Sequence, residues 1–137
     1  MEFQSEHPEY SLDKIQIDQR IERCFTEMCL SKDVCFIFIT DEDLLEINIS
    51  ALNHDYYTDI ITFDYSDDDD YTHSEIYISI DRVKDNAEQF NTSFVEELHR
   101  VMIHGLLHLG GYNDKSPGEQ EKMRSMENHY LDLQRST

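Results

Sequence analysis

Two histidines, His104 and His108, stand four residues apart near the C-terminal end of this 137-residue chain, just before a pair of glycines. Side chains four apart lie on one face of a helix, so both imidazoles can reach a single ion. Gly110 and Gly111 predict the end of that helix, because glycine can take the left-handed conformation of a C-terminal cap. The chain must therefore fold around a helix that stops just past its second histidine.

A carboxylate follows this turn, since Asp114 stands three residues beyond the second glycine. Two histidines and one carboxylate form a metal-ligand set with a fourth position left for water or substrate, as in catalytic zinc sites. Leu106 and Leu107 help to make the helix apolar nearly all round, which predicts that it lies in the core. A hydrogen-bonded core histidine is the alternative for either imidazole, but the facing pair and the following carboxylate favour a metal.

The residue after the first histidine limits the chemistry of this site. Zinc peptidases carry a glutamate there as general base, whereas this chain has Gly105. Hydrolysis would therefore depend on a metal that lowers the pKa of bound water and polarises the substrate. A phosphodiester suits such a site, because the ion also neutralises charge on the phosphoryl oxygens. A hydrolase for small or peptidic substrates is the less favoured alternative.

The segment resembles the signature of the YbeY-type single-strand-specific endoribonucleases and ribosomal RNA maturation factors, His-Gly-x-Leu-His-Leu-x-Gly-Tyr-Asp-His. The matching residues are His104, Gly105, Leu107, His108, Leu109, Gly111 and Tyr112. Three further landmarks of the family are similar to Asn48, Thr58–Phe63 and Ser74–Ser79. Order and spacing agree across about the whole chain.

The resemblance implies an α+β fold in a single domain, residues 1–137: a small mixed four-stranded sheet covered by about five helices, with a metal site at a cleft. It implies metal-dependent cleavage of single-stranded RNA in ribosomal RNA maturation, including the 16S 3′ end, and in ribosome quality control. Ribosomal particles or ribosomal proteins would be partners. One zinc ion, or another divalent transition metal, would be held by His104, His108 and Asp114, and Thr58, Asp59 and Asn48 would line the cleft.

This chain departs from the family pattern at two positions. Asp114 replaces the usual third histidine; a carboxylate keeps a ligand but makes the ion a weaker Lewis acid and broadens the choice of metal. Leu52 stands where family members carry an arginine thought to serve RNA binding or cleavage. The second departure motivates a different hypothesis, a non-catalytic ribosome-assembly binding factor with a structural metal.

The charge balance is the opposite of the usual nucleic-acid footprint. Thirty acidic against eleven basic residues give a formal net charge of -19. This excess counts against strong non-specific nucleic-acid binding, and no DNA partner is expected. It leaves room for a nuclease, because a few local bases and a divalent ion can hold one phosphate. Solubility is the simpler account of the acidity.

Composition also predicts where the protein resides. Cys24, Cys29 and Cys35 form no Cys-x-x-Cys pair and are odd in number, so we expect reduced packing residues of a cytosolic protein. The acidic N-terminus lacks the apolar core of a signal peptide. No apolar run approaches the roughly twenty residues that span a bilayer. The sequence therefore predicts a soluble, cytoplasmic protein without a membrane partner.

Periodicity predicts alternating helices and strands. The predicted elements are a helix through Ile17, Ile21, Cys24, Phe25 and Met28, a central strand Val34–Ile39, a short helix capped by Thr40, strands Ile60–Phe63 and Glu75–Ile78, a surface helix from Asp81 to Phe90, the histidine helix capped by Ser93, and a last helix capped by Ser116. The acidic segment 66–73 reads as a solvated connection, because it lacks the pattern of a calcium loop. The resemblance implies an acid in the last helix, where Glu127 stands, but on its own Glu127 reads as a solvated side chain. His54 reads as an ordinary histidine, in a loop that the resemblance places at the border of the cleft.

Overall fold

The structure is a computed structural model that describes residues 1–11, 19–28, 33–64 and 73–132. The described residues form four strands and five helices, in the order β1 (Glu2–Ser5), α1 (Gln19–Glu27), β2 (Asp33–Ile39), α2 (Asp41–Leu52), β3 (Ile60–Asp64), β4 (His73–Ser79), α3 (Ile80–Gln89), α4 (Phe94–Leu109) and α5 (Pro117–Asp132). The predicted α+β class is thereby confirmed.

The four strands form one mixed sheet in the order β1-β2-β4-β3. β1 and β4 both pair with β2 in parallel, while β3 pairs with β4 antiparallel. The predicted central strand is confirmed, since β2 lies between two neighbours and all but its first residue are buried. Its Val34, Phe36 and Phe38 join the main core cluster, whereas Cys35 and Ile37 join a smaller cluster on the other face.

α4 lies at the centre of the main cluster. Val101, Met102, Ile103, Leu106 and Leu107 are all buried there, as the apolar sequence of the helix predicts. The Ser93 hydroxyl accepts the Glu96 N–H at 3.1 Å and begins the helix. The buried helix thus places its exposed C-terminal end, with both histidines of the motif, at the surface beside the sheet.

The last helix begins at a reciprocal capping box, as predicted. The Ser116 hydroxyl accepts the Glu119 N–H at 3.2 Å, and Glu119 accepts the Ser116 N–H at 3.0 Å. Met123 and Tyr130 then face the core. α5 therefore lies along α4, which brings its middle turns behind the histidine motif.

Three details differ from the sequence-based expectations. β1 was not predicted: only Phe3 of its four residues is clearly apolar, and its parallel pairing partner lies about thirty residues away in the chain. The short helix after Thr40 runs to Leu52 and carries Asn48 well inside it. The surface helix predicted from Asp81 to Phe90 ends at Gln89, and Phe90 is its exposed cap residue, although its spacing put it on one face with the buried Val83 and Ala87.

Some expectations fall on other parts of the chain. Ile17, Cys29 and most of the acidic segment 66–73 lie outside the described residues. Cys24 and Cys35 are buried free thiols, as expected of reduced cysteines that pack in the core. Burial raises the pKa of the Cys24 thiol to about 12. None of the described helices has the length and apolar character needed to cross a membrane.

Candidate metal centre and its cleft

His104 and His108 lie one turn apart at the end of α4, and both line a cleft of about 660 Å³. His104 is partly buried and His108 is exposed. Between the two histidines, the helix touches the sheet at Gly105: a Cβ there would stand 3.0 Å from the Ile76 side chain and 3.1 Å from that of Ile60. The position at which zinc peptidases carry their glutamate therefore faces the sheet, which supports the exclusion of that mechanism.

The turn after α4 brings Asp114 back to the first histidine. Gly111 has a φ of 104°, which only glycine adopts without strain, while Gly110 has an ordinary φ of -80°. Gly110 leaves room for a neighbour, because a Cβ there would lie 2.6 Å from the Met28 sulfur and the Met28 side chain would have to move. Asp114 Oδ2 then lies 3.4 Å from His104 Nε2, so the turn places the predicted carboxylate beside the predicted imidazole.

Glu127, whose contact the sequence did not reveal, orients the ring of His104 through the second ring nitrogen. Glu127 of α5 is buried, and its Oε2 lies 2.7 Å from His104 Nδ1. Its other oxygen accepts a hydrogen bond from Arg100 at 3.1 Å. The expectation of a solvated Glu127 is therefore wrong. Metal-bound histidines commonly have such a carboxylate on the second ring nitrogen, which orients the ring and raises its basicity as a ligand.

The nitrogen and oxygen atoms of His104, His108 and Asp114 are atoms that bind metal ions, but they are not spaced as the ligands of one ion. Among residues 1–11, 19–28, 33–64 and 73–132, no group of three His, Cys, Asp or Glu side chains is already arranged around one metal position. His104, His108 and Asp114 nevertheless line the same cleft. With Nδ1 of His104 engaged by Glu127, its Nε2 is the atom that faces Asp114. We call His104, His108 and Asp114 the histidine wall of the cleft.

The surroundings of the histidine wall favour positive charge. Burial lowers the pKa of His104, but the hydrogen bond and charge of Glu127 and the charges of Asp114 and Asp59 outweigh it, so that the pKa is raised. The pKa of Asp59 is raised, because burial disfavours its charged form. Three carboxylates thus act on one imidazole, a place where a cation is stabilised.

The opposite side of the cleft is formed by the end of α2, the connection to β3 and β3 itself. We call Asn48, His54, Tyr56, Thr58 and Asp59 the loop wall. All five line the cleft, as expected for Asn48, Thr58 and Asp59. The Thr58 hydroxyl donates to the Ile60 carbonyl at 3.4 Å, and Asp59 accepts from Asn86 Nδ2 at 3.4 Å. Tyr56 was not predicted as a cleft residue.

Positive charge is scarce in this cleft. Leu52, at the position of the family's arginine, lines it with 42% of its surface exposed. Of the described residues around the cleft, Lys115 alone among lysines and arginines contributes to the lining. Any anionic ligand would therefore meet one ammonium group and the histidine wall.

Comparison with known proteins agrees with this fold and cleft. The family model described as Endoribonuclease YbeY matches residues 2–134. Relatives named Endoribonuclease YbeY include those of Bacteroides fragilis, 52% identical over 75% of this chain and 73% of the relative, and of Flavobacterium psychrophilum, 54% identical over 74% and 71%. The solution structure of TM1509 from Thermotoga maritima is 27% identical, with a TM-score of 0.66 over 96% of this chain and 86% of that one.

Fold, cleft and relatives together define the class of protein as a hydrolase, and within the hydrolases a nuclease. The chain belongs to the endoribonuclease YbeY family.

Proposed function

We propose that this protein is a single-strand-specific metallo-endoribonuclease that acts in ribosomal RNA maturation, including the 16S 3′ end, and in ribosome quality control. One observation carries the proposal: Glu127 holds His104 by Nδ1 at 2.7 Å, while Nε2 faces Asp114 at 3.4 Å in the cleft shared with His108. Family membership supports RNA as the substrate, because the relatives are named endoribonucleases.

His104, His108 and Asp114 would hold one zinc ion or another divalent transition metal. Such an ion, when bound, supplies Lewis acidity and a water of lowered pKa. Glu127 keeps the ring of His104 in place and leaves Nε2 for the cleft. Because Asp114 brings a hard oxygen where the family has a nitrogen donor, its carboxylate broadens the range of metals that this wall accepts.

The remaining cleft residues would position the RNA. Lys115 lines the cleft beside Asp114 and would neutralise one phosphate. Thr58 and Asp59 line the opposite wall, where Asp59 is fixed by Asn86 and by the Ser79 N–H, which donates to its carbonyl at 3.0 Å. These groups would orient the strand across the cleft, so that one phosphodiester lies against the histidine wall.

A specific observation favours a second candidate function. Leu52 puts an exposed apolar side chain into the cleft where the family has a cation, and the net charge is -19. A protein with this surface would bind RNA phosphates weakly. The alternative is a non-catalytic ribosome-assembly factor, in which the metal stabilises the turn after α4 and ribosomal proteins supply the contacts.

The test is cleavage of a labelled single-stranded RNA by the purified protein beside its His108→Ala variant, with bound metal measured in both. His108 is exposed, so its truncation leaves the core intact. We expect cleavage by the parent, loss of cleavage in the variant and reduced metal content. Cleavage by both would mean that the activity is a contaminant. A parent that holds one metal per chain without cutting would favour the assembly factor.

A further inference from the structure

An exposed aromatic side chain lies in the loop wall, across the cleft from the histidines. Tyr56 has 56% of its surface exposed and lines the cleft. The ring of His54 is stacked on it, with centroids 5.2 Å apart and planes 18° from parallel. The Tyr56 hydroxyl and His54 Nδ1 are hydrogen-bonded at 3.0 Å. The two rings therefore form one stacked unit exposed to solvent, which we call the aromatic pair.

Buried hydrogen bonds hold the aromatic pair in place. Asn48, only 2% exposed, donates from Nδ2 to the Tyr56 carbonyl at 2.9 Å, and its own carbonyl accepts the His54 N–H at 3.0 Å. Asn53, in the left-handed conformation at φ 57°, ends α2 just before the pair. These bonds fix the main chain of the pair, and the bond between the Tyr56 hydroxyl and His54 Nδ1 fixes the ring, so the ring loses little conformational freedom when a ligand stacks on it.

The next residue shows that this arrangement is particular to Tyr56. Tyr57 has a similar exposure, 45%, but its hydroxyl donates to Glu42 at 2.8 Å and the Arg82 guanidinium lies 5.1 Å from its ring centroid. Tyr57 is also absent from the residues that line the cleft. Two adjacent tyrosines therefore differ in role: Tyr57 closes a contact between α2 and α3, while Tyr56 is presented to the cleft.

Charge indicates what the aromatic pair would bind. RNA-binding proteins usually obtain affinity by neutralising phosphates, but this chain carries a net charge of -19 and offers Lys115 alone, among its described lysines and arginines, to the cleft. Stacking of bases on aromatic rings gives affinity without positive charge, because every base has a π-face. A stacked base must be unpaired, so such a contact also selects single strands.

We propose that the aromatic pair of Tyr56 and His54 is a stacking platform for one unpaired nucleobase, next to the phosphate held at the histidine wall. The proposal rests on the proposed function and deepens it by naming a residue that determines single-strand specificity. It also explains how a cleft with Leu52 in place of a cation would hold RNA: affinity comes from a base on the loop wall more than from phosphates.

The test is equilibrium binding of a short single-stranded RNA with 2′-O-methyl riboses and phosphorothioate linkages, which resists cleavage. Replacing its bases one at a time by 2-aminopurine locates the stacked base through fluorescence quenching. We expect Tyr56→Ala to raise Kd roughly tenfold to a hundredfold and to remove the quenching. Tyr56→Phe should bind within a few-fold of the parent, because the ring remains. Tyr57→Ala, the matched control, should leave Kd unchanged.

An RNA with one abasic position, tested with the parent and with Tyr56→Ala, gives a double-mutant cycle for the contact between ring and base. Removing the quenched base should weaken binding to the parent about as much as Tyr56→Ala does, and should cost the Tyr56→Ala variant nothing further. Equal Kd values for the parent and Tyr56→Ala would overturn the platform, as would a full abasic penalty in the variant. Intact RNA binding with weaker binding to ribosomal particles would assign the aromatic pair to a protein partner instead.

These outcomes are separable from the nuclease proposal. A parent that quenches 2-aminopurine through Tyr56 but cuts no RNA refutes the nuclease and keeps the platform. A parent that cuts RNA with the same KM in the Tyr56→Ala variant refutes the platform and keeps the nuclease. Thermal unfolding of each variant checks that the 56%-exposed side chain was removed without loss of fold.

Discussion

The two walls of the cleft differ in the chemistry of their side chains. The histidine wall is polar and anionic, and Glu127 holds it from a buried position in contact with Arg100. The loop wall is aromatic at its edge, with Tyr56 exposed and stacked on His54. The first wall is suited to bind a cation and the second to bind an uncharged, flat group. If both proposals hold, this strongly acidic protein separates the chemistry from the recognition of RNA across one cleft.

The largest effect should be a loss of zinc affinity when Glu127, which contacts His104 of the histidine wall, is replaced. Glu127→Gln keeps the size of the side chain but removes the charge that faces His104 Nδ1. Loss of such a carboxylate partner typically weakens metal binding by about 10- to 100-fold. Competition with a chromophoric chelator measures the zinc affinity. Glu88→Gln, which removes an exposed acid from α3, is the control. Equal zinc affinity in all three proteins would show that Glu127 is only a structural residue.

The next effect is on stability, and it concerns Gly105, where α4 contacts the sheet next to the histidine wall. Gly105→Ala adds a Cβ at 3.0 Å from the Ile76 side chain and should lower the free energy of unfolding by about 1 kcal/mol. Gly118→Ala, in open space within α5, should leave that free energy unchanged or raise it by up to about 1 kcal/mol. Urea unfolding of both variants measures the difference. A Gly105→Ala protein stabilised as much as Gly118→Ala would contradict the close approach of α4 to the sheet.

A smaller effect should follow from returning a cation to the cleft. Leu52→Arg places a guanidinium at an exposed position of the lining. We expect tighter RNA binding and a slope of log K against log salt that steepens by about 0.7, the value for one phosphate contact on a single strand. Ile49→Arg, on the same helix and equally exposed at 43%, lies outside the lining and is the control. Equal gains in both variants would indicate a general charge effect.

The smallest effect is a pH-dependent change in stability at Asp81, which lies outside both walls of the cleft. Partial burial raises the pKa of Asp81, but the Asp41 N–H and the His7 side chain outweigh it, so the pKa is lowered. A carboxylate with a lowered pKa stabilises the fold above its unfolded value of about 4 and loses that contribution as the pH falls further. The stability difference between the parent and Asp81→Asn should therefore shrink below about pH 4 in urea titrations. A constant difference from pH 7 to pH 3 would contradict this assignment.

The sequence predicted the histidine wall better than the loop wall, and the reason is physical. Spacing of four on a helix and a glycine turn are local, so His104 and His108 and the end of α4 could be read directly. Glu127 reaches its partner across 23 residues, which no local pattern shows. A signal did exist: Met123, Glu127 and Tyr130 share a helical face, and both neighbours are buried.

The loop wall depends on contacts that leave little trace in the sequence. Tyr56 and Tyr57 are identical and adjacent. Their different partners, Asn48 and His54 for Tyr56 and Glu42 and Arg82 for Tyr57, distinguish the one that lines the cleft from the one that does not. β1 escaped prediction for a similar reason, since a four-residue strand at the sheet edge is defined by its pairing with β2 and not by its own periodicity.

The most direct test of the division between the walls is single-turnover cleavage of a labelled single-stranded RNA by His108→Ala and Tyr56→Ala beside the parent, with the RNA concentration varied. We predict that His108→Ala loses the cleavage rate while its RNA affinity stays near that of the parent. Tyr56→Ala should lose affinity by roughly tenfold or more and, at saturating RNA, cut at close to the parent rate. If both variants lose rate and affinity together, the two walls do not have separate roles and the account is wrong.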